Sequence, residues 1–347
     1  MKKQYYCAID IAKIICAVLV VFIHTSPLGS VNGLCNSVLV NCISRVAVPF
    51  FFISSGFLLF SKTELSAPDL GMIGKYELKL LKFYLIWSAV YFPYTLLEMY
   101  VKRKSGLALS VFLNWMKNMV VTAGFGLLWY LPATIVAVGI VALLLKRGVK
   151  INTVVFIGFV LYLIGLCGQS YYGLAAKLPL SDEVRQVIHT FYNFIVTTRN
   201  GVFEGVIFIA LGAKLSQKEE FGSLAHSLAG FFASSALLLF EFVFISKMEW
   251  RIDYDMYLSL VPCAYFMLKT ALCLKWEIPP EVLRFLRPYS SLIYFTHMIP
   301  KIICDLFFPY LHSLVLFFGV FTVTLVIDTA IILLSRTKPF GFLKKIY

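Results

Sequence analysis

Charged side chains are scarce in this sequence. Only 14% of its 347 residues are Asp, Glu, Lys or Arg, whereas a soluble domain typically carries about 25%. Hydrophobic residues make up 60% of the chain, and its mean hydropathy is +0.85. A surface that meets water on all sides cannot be built from this composition, so the sequence predicts an integral membrane protein.

Patterns typical of metal or disulfide sites are also missing. The eight cysteines form no CxxC pair and no cluster with histidine, and most lie within apolar runs, where a thiol behaves as a small hydrophobic group. We therefore expect neither a metal site nor a disulfide framework. The net charge is +13. Because the basic residues lie between apolar runs, they indicate anionic lipid as a partner rather than nucleic acid.

Apolar runs long enough to cross a bilayer recur along the whole chain. A spanning helix needs roughly 20 mainly apolar residues, and no linker rich in Gly, Ser or Pro divides the sequence. We predict an all-α integral membrane fold, in which residues 1–347 form a single domain of about ten transmembrane helices in one bundle. The interrupted apolar stretch 108–123 is predicted to lie at the membrane interface as an amphipathic helix. The predicted spans are 7–26, 37–60, 83–101, 127–145, 151–171, 200–215, 224–246, 255–274, 289–309 and 313–335.

The distribution of Lys and Arg indicates an orientation. If the N terminus is cytoplasmic, most of the 31 basic residues fall in cytoplasmic segments. The positive-inside rule then predicts that both termini are cytoplasmic, in a multi-pass protein of the plasma membrane. The basic run 102–104 falls on the outer side and runs against this orientation.

The first span carries Asp10, Lys13 and His24. A charge at the bilayer centre costs at least about 2.5–3.5 kcal/mol, so such groups require an explanation. On an α-helix Lys13 and His24 share one face and lie ~16 Å apart along the axis. One stripe of this helix thus presents a cation near the inner leaflet and an imidazole near the outer leaflet. Alternatively, Lys13 snorkels to the inner interface and His24 contacts water.

Further ionisable residues lie inside or beside later spans. Arg45 is too deep in the second span to be a surface charge, which favours an ion pair or a functional role. Lys79 and Lys82 lie at the inner end of the third span. They either only set the orientation of the helix in the membrane or form a phosphate clamp. Arg199 and Glu204 open the sixth span and are close enough in sequence to form an ion pair at the outer face.

The ninth span places His297, Lys301 and Asp305 on one helix face, at i, i+4 and i+8. We expect Lys301 and Asp305 to pair, and His297 to lie nearer the inner side, bonded to a serine earlier in the same span. Glu241 and Asp328 are isolated in sequence and receive no role beyond facing the bundle.

Several of these motifs carry a resemblance to the acyltransferase-3 family. Lys13, ten residues and His24 match the Arg/Lys-x10-His pattern of its first helix, and residues 45–57 look like its second-helix motif. The segments 128–132 and 291–297 resemble later landmarks. The resemblance implies a ten-helix bundle that moves an acyl group, usually acetyl from cytoplasmic acetyl-CoA, to an acceptor at or beyond the membrane.

The resemblance also implies roles for individual residues. His24 would act in catalysis, its neutral imidazole taking the proton of an acceptor hydroxyl as the oxygen attacks the thioester. Glu204 is a candidate to orient it. The acceptor would be a small molecule or a glycan. Lys13 occupies a position where Arg is commoner in the family. Its ammonium group is a point charge, whereas a guanidinium can form two parallel hydrogen bonds with one anion. The acyl-CoA donor would be held by basic residues: Lys13, Arg45, Lys79 and Lys82.

A narrower resemblance is to the membrane domain of vancomycin-resistance serine racemases, through segments 161–166, 198–203 and 255–258. Those proteins continue into a soluble racemase domain that depends on pyridoxal phosphate; we expect that domain to be absent from residues 1–347, in either a stand-alone relative or a piece of a longer protein. This resemblance implies an alternative function, the transport of L-serine. Arg45 or Arg199 would meet the serine carboxylate, and Glu204 its ammonium group. A third alternative is a binding or scaffold domain in which the catalytic motif is idle.

Overall fold

The computed structural model describes residues 6–103, 116, 125–195 and 197–347. All regular structure in these ranges is helical. The predicted interfacial helix 108–123 lies outside the described residues, apart from Met116. The α-helices are α1 (Cys7–Thr25), α2 (Gly33–Asn41), α3 (Ala47–Phe60), α4 (Leu70–Arg103), α5 (Tyr130–Lys146), α6 (Ile151–Cys167), α7 (Tyr172–Ala176), α8 (Asp182–Ile195), α9 (Val206–Ser216), α10 (Leu224–Met248), α11 (Leu260–Cys273), α12 (Pro280–Thr296), α13 (Met298–Phe307) and α14 (Ser313–Leu334).

The structure confirms a helical, multi-pass membrane protein. The described residues contain six helical segments that are long and apolar enough to cross a bilayer, and α6 and α11 are shorter apolar helices. The total of ten spans and the sidedness of the termini remain predictions. The six segments are Cys7–Thr25, Gly33–Phe60, Leu70–Leu97, Gly126–Lys146, Leu224–Met248 and Ser313–Leu334.

Helices α3 and α9 form the closest pair in the core because glycine faces backbone at their crossing. A Cβ on Gly56 would lie 2.4 Å from the carbonyl oxygen of Ile209, and one on Gly212 would lie 2.1 Å from that of Ile53. No side chain fits in either place. Small residues at a helix crossing allow the backbones to approach and gain dispersion contacts in a membrane. Gly56, in the motif at 45–57, is therefore required for packing.

Two predicted spans are broken at defined points. The second is interrupted by a 3₁₀ turn, Ile43–Val46, between α2 and α3. The ninth is interrupted at His297, between α12 and α13. Pro49 and Pro300 lie in the first turn of the following helix, where a missing N–H is tolerated because no intrahelical partner is available for it. Both breaks lie at the same end of the bundle, next to the C-terminal end of α1.

Candidate active site

A cavity of about 390 Å³ lies at this end of the bundle. Its walls come from the last turn of α1, the 3₁₀ turn before α3, the segment before α5, the turn before α9, the loop before α11 and the α12–α13 junction. Aromatic rings, among them Trp129 and Tyr294, form part of the wall. The polar residues that line it are His24, Ser44, Arg45, Arg199, Glu204 and Asp255. Four residues predicted from sequence to be functional therefore meet in one cavity.

Asp255 joins the two arginines of the cavity. One carboxylate oxygen accepts a hydrogen bond from Nη1 of Arg45, and the other accepts one from Nη1 of Arg199 at 2.7 Å. The Asp255 side chain is only 6% exposed. The Arg45 guanidinium also donates to Oδ1 of Asn41 at 3.2 Å, and that of Arg199 lies 4.9 Å from the centre of the Trp129 ring. Both cations are thus fixed in place.

The predicted ion pair between Arg199 and Glu204 is wrong. Asn200 caps a single π-helical turn, Gly201–Gly205, by accepting hydrogen bonds from the backbone N–H groups of residues 202 and 203 at 2.9 and 3.1 Å. Within this turn Glu204 is buried, and its Oε2 has no hydrogen-bond donor among the described residues. Arg199 instead pairs with Asp255, a residue that stands out in the sequence only as part of the segment that resembles racemases.

The π-helical turn is held against α5 by its glycines. A Cβ on Gly201 would lie 2.3 Å from the carbonyl oxygen of Ala133, and one on Gly205 would lie 2.7 Å from Cβ of Ala137. Turns of this kind occur frequently at functional sites because they re-aim side chains within a helix. Here the turn presents the carboxylate of Glu204 to the cavity.

His24 lies in the last turn of α1 and has no hydrogen-bond partner among the described residues. Its ring centroid is 5.3 Å from that of His297. The prediction that His297 is bonded to a serine is wrong, and His297 and His24 do not lie toward opposite sides of the bundle. Its Nδ1 is 2.7 Å from the carbonyl oxygen of Ile293, and its ring lies beside that of His24. The predicted pair of Lys301 and Asp305 is confirmed, with 2.5 Å between Nζ and Oδ2.

The lysines proposed to hold the donor lie elsewhere. Lys13, Lys79 and Lys82 do not line the cavity, and Lys13 lies ~16 Å from His24 along α1. Asp10 pairs with Arg287 at 2.7 Å, and among the described residues Lys13 forms no ion pair. Arg45 lies apart from these lysines, at the other end of α1, where it is bound to Asp255; the predicted roles of the four basic residues toward an acyl-CoA donor remain predictions.

Glu241, for which the sequence predicts no role beyond facing the bundle, supports the loop that carries Asp255. Its carboxylate accepts hydrogen bonds from the backbone N–H groups of Leu258 and Ser259 at 2.7 and 2.8 Å, and from the hydroxyl of Tyr171 at 2.7 Å. It thereby satisfies free N–H groups at the start of α11. A glutamate that is isolated in an apolar run carries no signal of such partners, because they lie in distant parts of the chain.

Comparison with known proteins fits this architecture. The acyltransferase domain family model (acyltransferase-3) matches residues 7–333. An amino-acid racemase of Enterococcus faecalis is 30% identical over 295 residues, covering 83% of this chain and 40% of that protein. A serine/alanine racemase of Enterococcus gallinarum is 30% identical over 271 residues, covering 78% and 37%. This chain therefore spans less than half the length of these relatives, and the similarity is to their membrane part. No solved structure matches. The chain belongs to the acyltransferase-3 family.

Proposed function

We propose that this protein transfers an acyl group, in the first instance acetyl, from an acyl-CoA to a hydroxyl acceptor bound in the cavity, with His24 as the general base. The observation that supports this proposal is the imidazole of His24, which lines the cavity without a hydrogen-bond partner among the described residues. A general base needs a ring nitrogen within hydrogen-bond reach of the reacting hydroxyl.

In the proposed reaction the acceptor hydroxyl gives its proton to the imidazole of His24 while its oxygen attacks the thioester carbonyl. The carbon–sulfur bond then breaks, the ester forms, and the leaving thiolate takes the proton from the imidazolium. Arg45 and Arg199 share the single carboxylate of Asp255, so these three side chains together carry one net positive charge. A fixed positive charge beside the cavity favours the negative charge that develops on the carbonyl oxygen.

The donor would bind along α1. The phosphates of acyl-CoA are anionic and favour basic partners, and Lys13, Lys79 and Lys82 provide these away from the cavity. Lys13 forms no ion pair among the described residues, so no carboxylate there lies within ion-pair distance of its ammonium group. The ~16 Å between Lys13 and His24 would be bridged by the extended pantetheine arm. Arg45 would act at the acyl end of the donor.

The test is acyl transfer by purified full-length protein in lipid nanodiscs. Acetyl-CoA is supplied with a panel of hydroxyl acceptors (glycerol, simple sugars and L-serine), and released CoA is measured with a thiol reagent. His24→Ala should lower the rate by about 10²-fold or more, since general bases contribute that much. His226→Ala is the matched control, because His226 is exposed and pairs with Ser223. Equal rates in wild type and His24→Ala would remove His24 from the reaction.

A second candidate function, passage of L-serine, is favoured by a different observation. Glu204 presents an unpartnered buried oxygen to a cavity that also holds Arg45 and Arg199. The net positive charge of the arginine group complements a carboxylate, and Glu204 complements an ammonium group. The similarity to a serine/alanine racemase makes serine the ligand to try first.

Proteoliposomes separate the two candidates. If the chain carries serine, Glu204→Gln should abolish uptake of labelled L-serine without acetyl-CoA, while His24→Ala should leave it unchanged. Glu277→Gln, at an exposed glutamate outside the cavity, is the control. Absence of saturable uptake in wild-type vesicles that do release CoA would exclude transport and leave acyl transfer.

A further inference from the structure

His297 is fully buried at the break between α12 and α13. Its Nδ1 lies 2.7 Å from the carbonyl oxygen of Ile293. A carbonyl oxygen can only accept, so Nδ1 carries the hydrogen. In a neutral imidazole the other nitrogen is then an acceptor. The local backbone thus fixes the tautomer of His297 and leaves Nε2 as a lone-pair acceptor inside the bundle.

That acceptor has no partner of its own. Nε2 of His297 is buried, and no described residue donates a hydrogen bond to it. Leaving a buried acceptor unsatisfied is destabilising, which favours any arrangement that supplies a donor. The ring of His24 lies beside it, with centroids 5.3 Å apart and planes tilted by 40°. Two imidazoles joined by an N–H···N bond of about 2.9 Å have centroids about 5 Å apart, so the observed separation matches such a bond when the His24 ring is rotated to direct one nitrogen at Nε2.

The position of His297 is itself fixed by its neighbours in sequence. The hydroxyl of Tyr294 donates to the carbonyl oxygen of Leu127 at 2.5 Å. The hydroxyl of Thr296 lies 2.7 Å from Oδ1 of Asp328, another buried residue. These bonds tie the end of α12 to the segment before α5 and to α14. A side chain that orients a reacting group must be held in this way by its surroundings.

We propose that His297 is the positioning residue of His24. Its Nε2 accepts the hydrogen of one ring nitrogen of His24 and so leaves the other nitrogen of His24 unprotonated, facing the cavity. This role rests on the proposed function, whereas the hydrogen bond itself does not. During the reaction the acceptor proton goes to the free nitrogen of His24 and leaves with CoA, so no proton passes to His297. The arrangement parallels a base held in one tautomer by a third group.

The hydrogen bond is tested by nitrogen-15 NMR of the full-length protein with labelled histidine, in nanodiscs, with signals assigned through single His→Gln variants. In the wild type, His24 should show one protonated and one unprotonated nitrogen, and Nε2 of His297 should have the shift of an acceptor. His297→Phe should replace the two His24 signals by averaged ones. His226 and His312 are internal references. If the signals of the two His24 nitrogens are averaged in the wild type, the proposal is overturned. This outcome does not depend on any measurement of activity.

The functional consequence is tested by CoA release from acetyl-CoA. His297→Phe should lower kcat by about tenfold or more, less than the loss of the base itself, with an unchanged KM for acetyl-CoA. His297→Gln, whose amide oxygen can accept the same hydrogen, should restore most of the rate. Equal loss in both variants would overturn the positioning role. If the wild-type protein releases no CoA, the proposed function is wrong. The NMR result still decides whether the hydrogen bond exists.

Discussion

At the scale of single residues, the sequence identified cations and an imidazole but not what holds them. Arg45, Arg199 and His24 were recognisable because ionisable groups inside apolar runs are costly and therefore rarely incidental. Asp255 was missed because its partners lie 210 and 56 residues away along the chain. A single sequence contains no signal of such distant pairing. The same limit led to the wrong partner for Arg199, since Glu204 is nearer in sequence.

Asp255→Asn tests how far this shared carboxylate stabilises the protein. Removing its charge leaves two guanidinium groups side by side, one of them only 13% exposed. Breaking a buried pair typically costs about 3–5 kcal/mol, so we expect a large fall in the midpoint of thermal unfolding. Asp305→Asn is the matched control, because its pair with Lys301 is half exposed on the Asp side and should contribute about 1 kcal/mol or less. Equal midpoints for the two variants would contradict the structural role assigned to Asp255.

At the scale of helices, hydropathy predicted where the chain crosses the membrane but not where the helices break. A window of apolar residues is equally apolar when its backbone departs from α-helical geometry. The spans predicted as 37–60 and 289–309 are interrupted at Ile43–Val46 and at His297. Pro49 and Pro300 are visible signals, since a proline lacks the N–H that would bond to the carbonyl four residues earlier and its ring clashes with that carbonyl, here of Arg45 and Thr296. The π-helical turn Gly201–Gly205 carried no comparable signal beyond its two glycines.

Gly212→Ala tests the crossing of α3 and α9. The added methyl would lie 2.1 Å from the carbonyl oxygen of Ile53, so the two helices must separate. We expect a loss of folded, monodisperse protein on size-exclusion chromatography. Gly319→Ala in α14 is the control, because its Cβ meets no atom within 4 Å. Since glycine inside a helix costs about 0.5–1 kcal/mol relative to alanine, that variant should be at least as stable as the wild type. Normal assembly of Gly212→Ala would contradict the packing described for this pair.

At the scale of the whole molecule, the cavity lies at the His24 end of α1, whereas Lys13, Lys79 and Lys82 lie toward its opposite end. If the positive-inside rule holds, the cavity opens toward the outer leaflet and the lysines face the cytoplasm. A donor made in the cytoplasm would then meet an acceptor on the other side, with the reaction at His24. The orientation of the chain therefore decides whether the proposed reaction crosses the membrane.

Cysteine labelling in intact cells tests that orientation. Cys35 is an exposed free cysteine in α2, at the cavity end of the bundle. A membrane-impermeant maleimide should label it from outside, and Cys35→Ser should remove this label. In that background Lys338→Cys places a thiol at an exposed position after α14, and it should react only once the membrane is permeabilised. The reverse pattern would place the cavity on the cytoplasmic side, because α1 fixes the two ends relative to each other. An acceptor outside the cell would then be unable to reach His24.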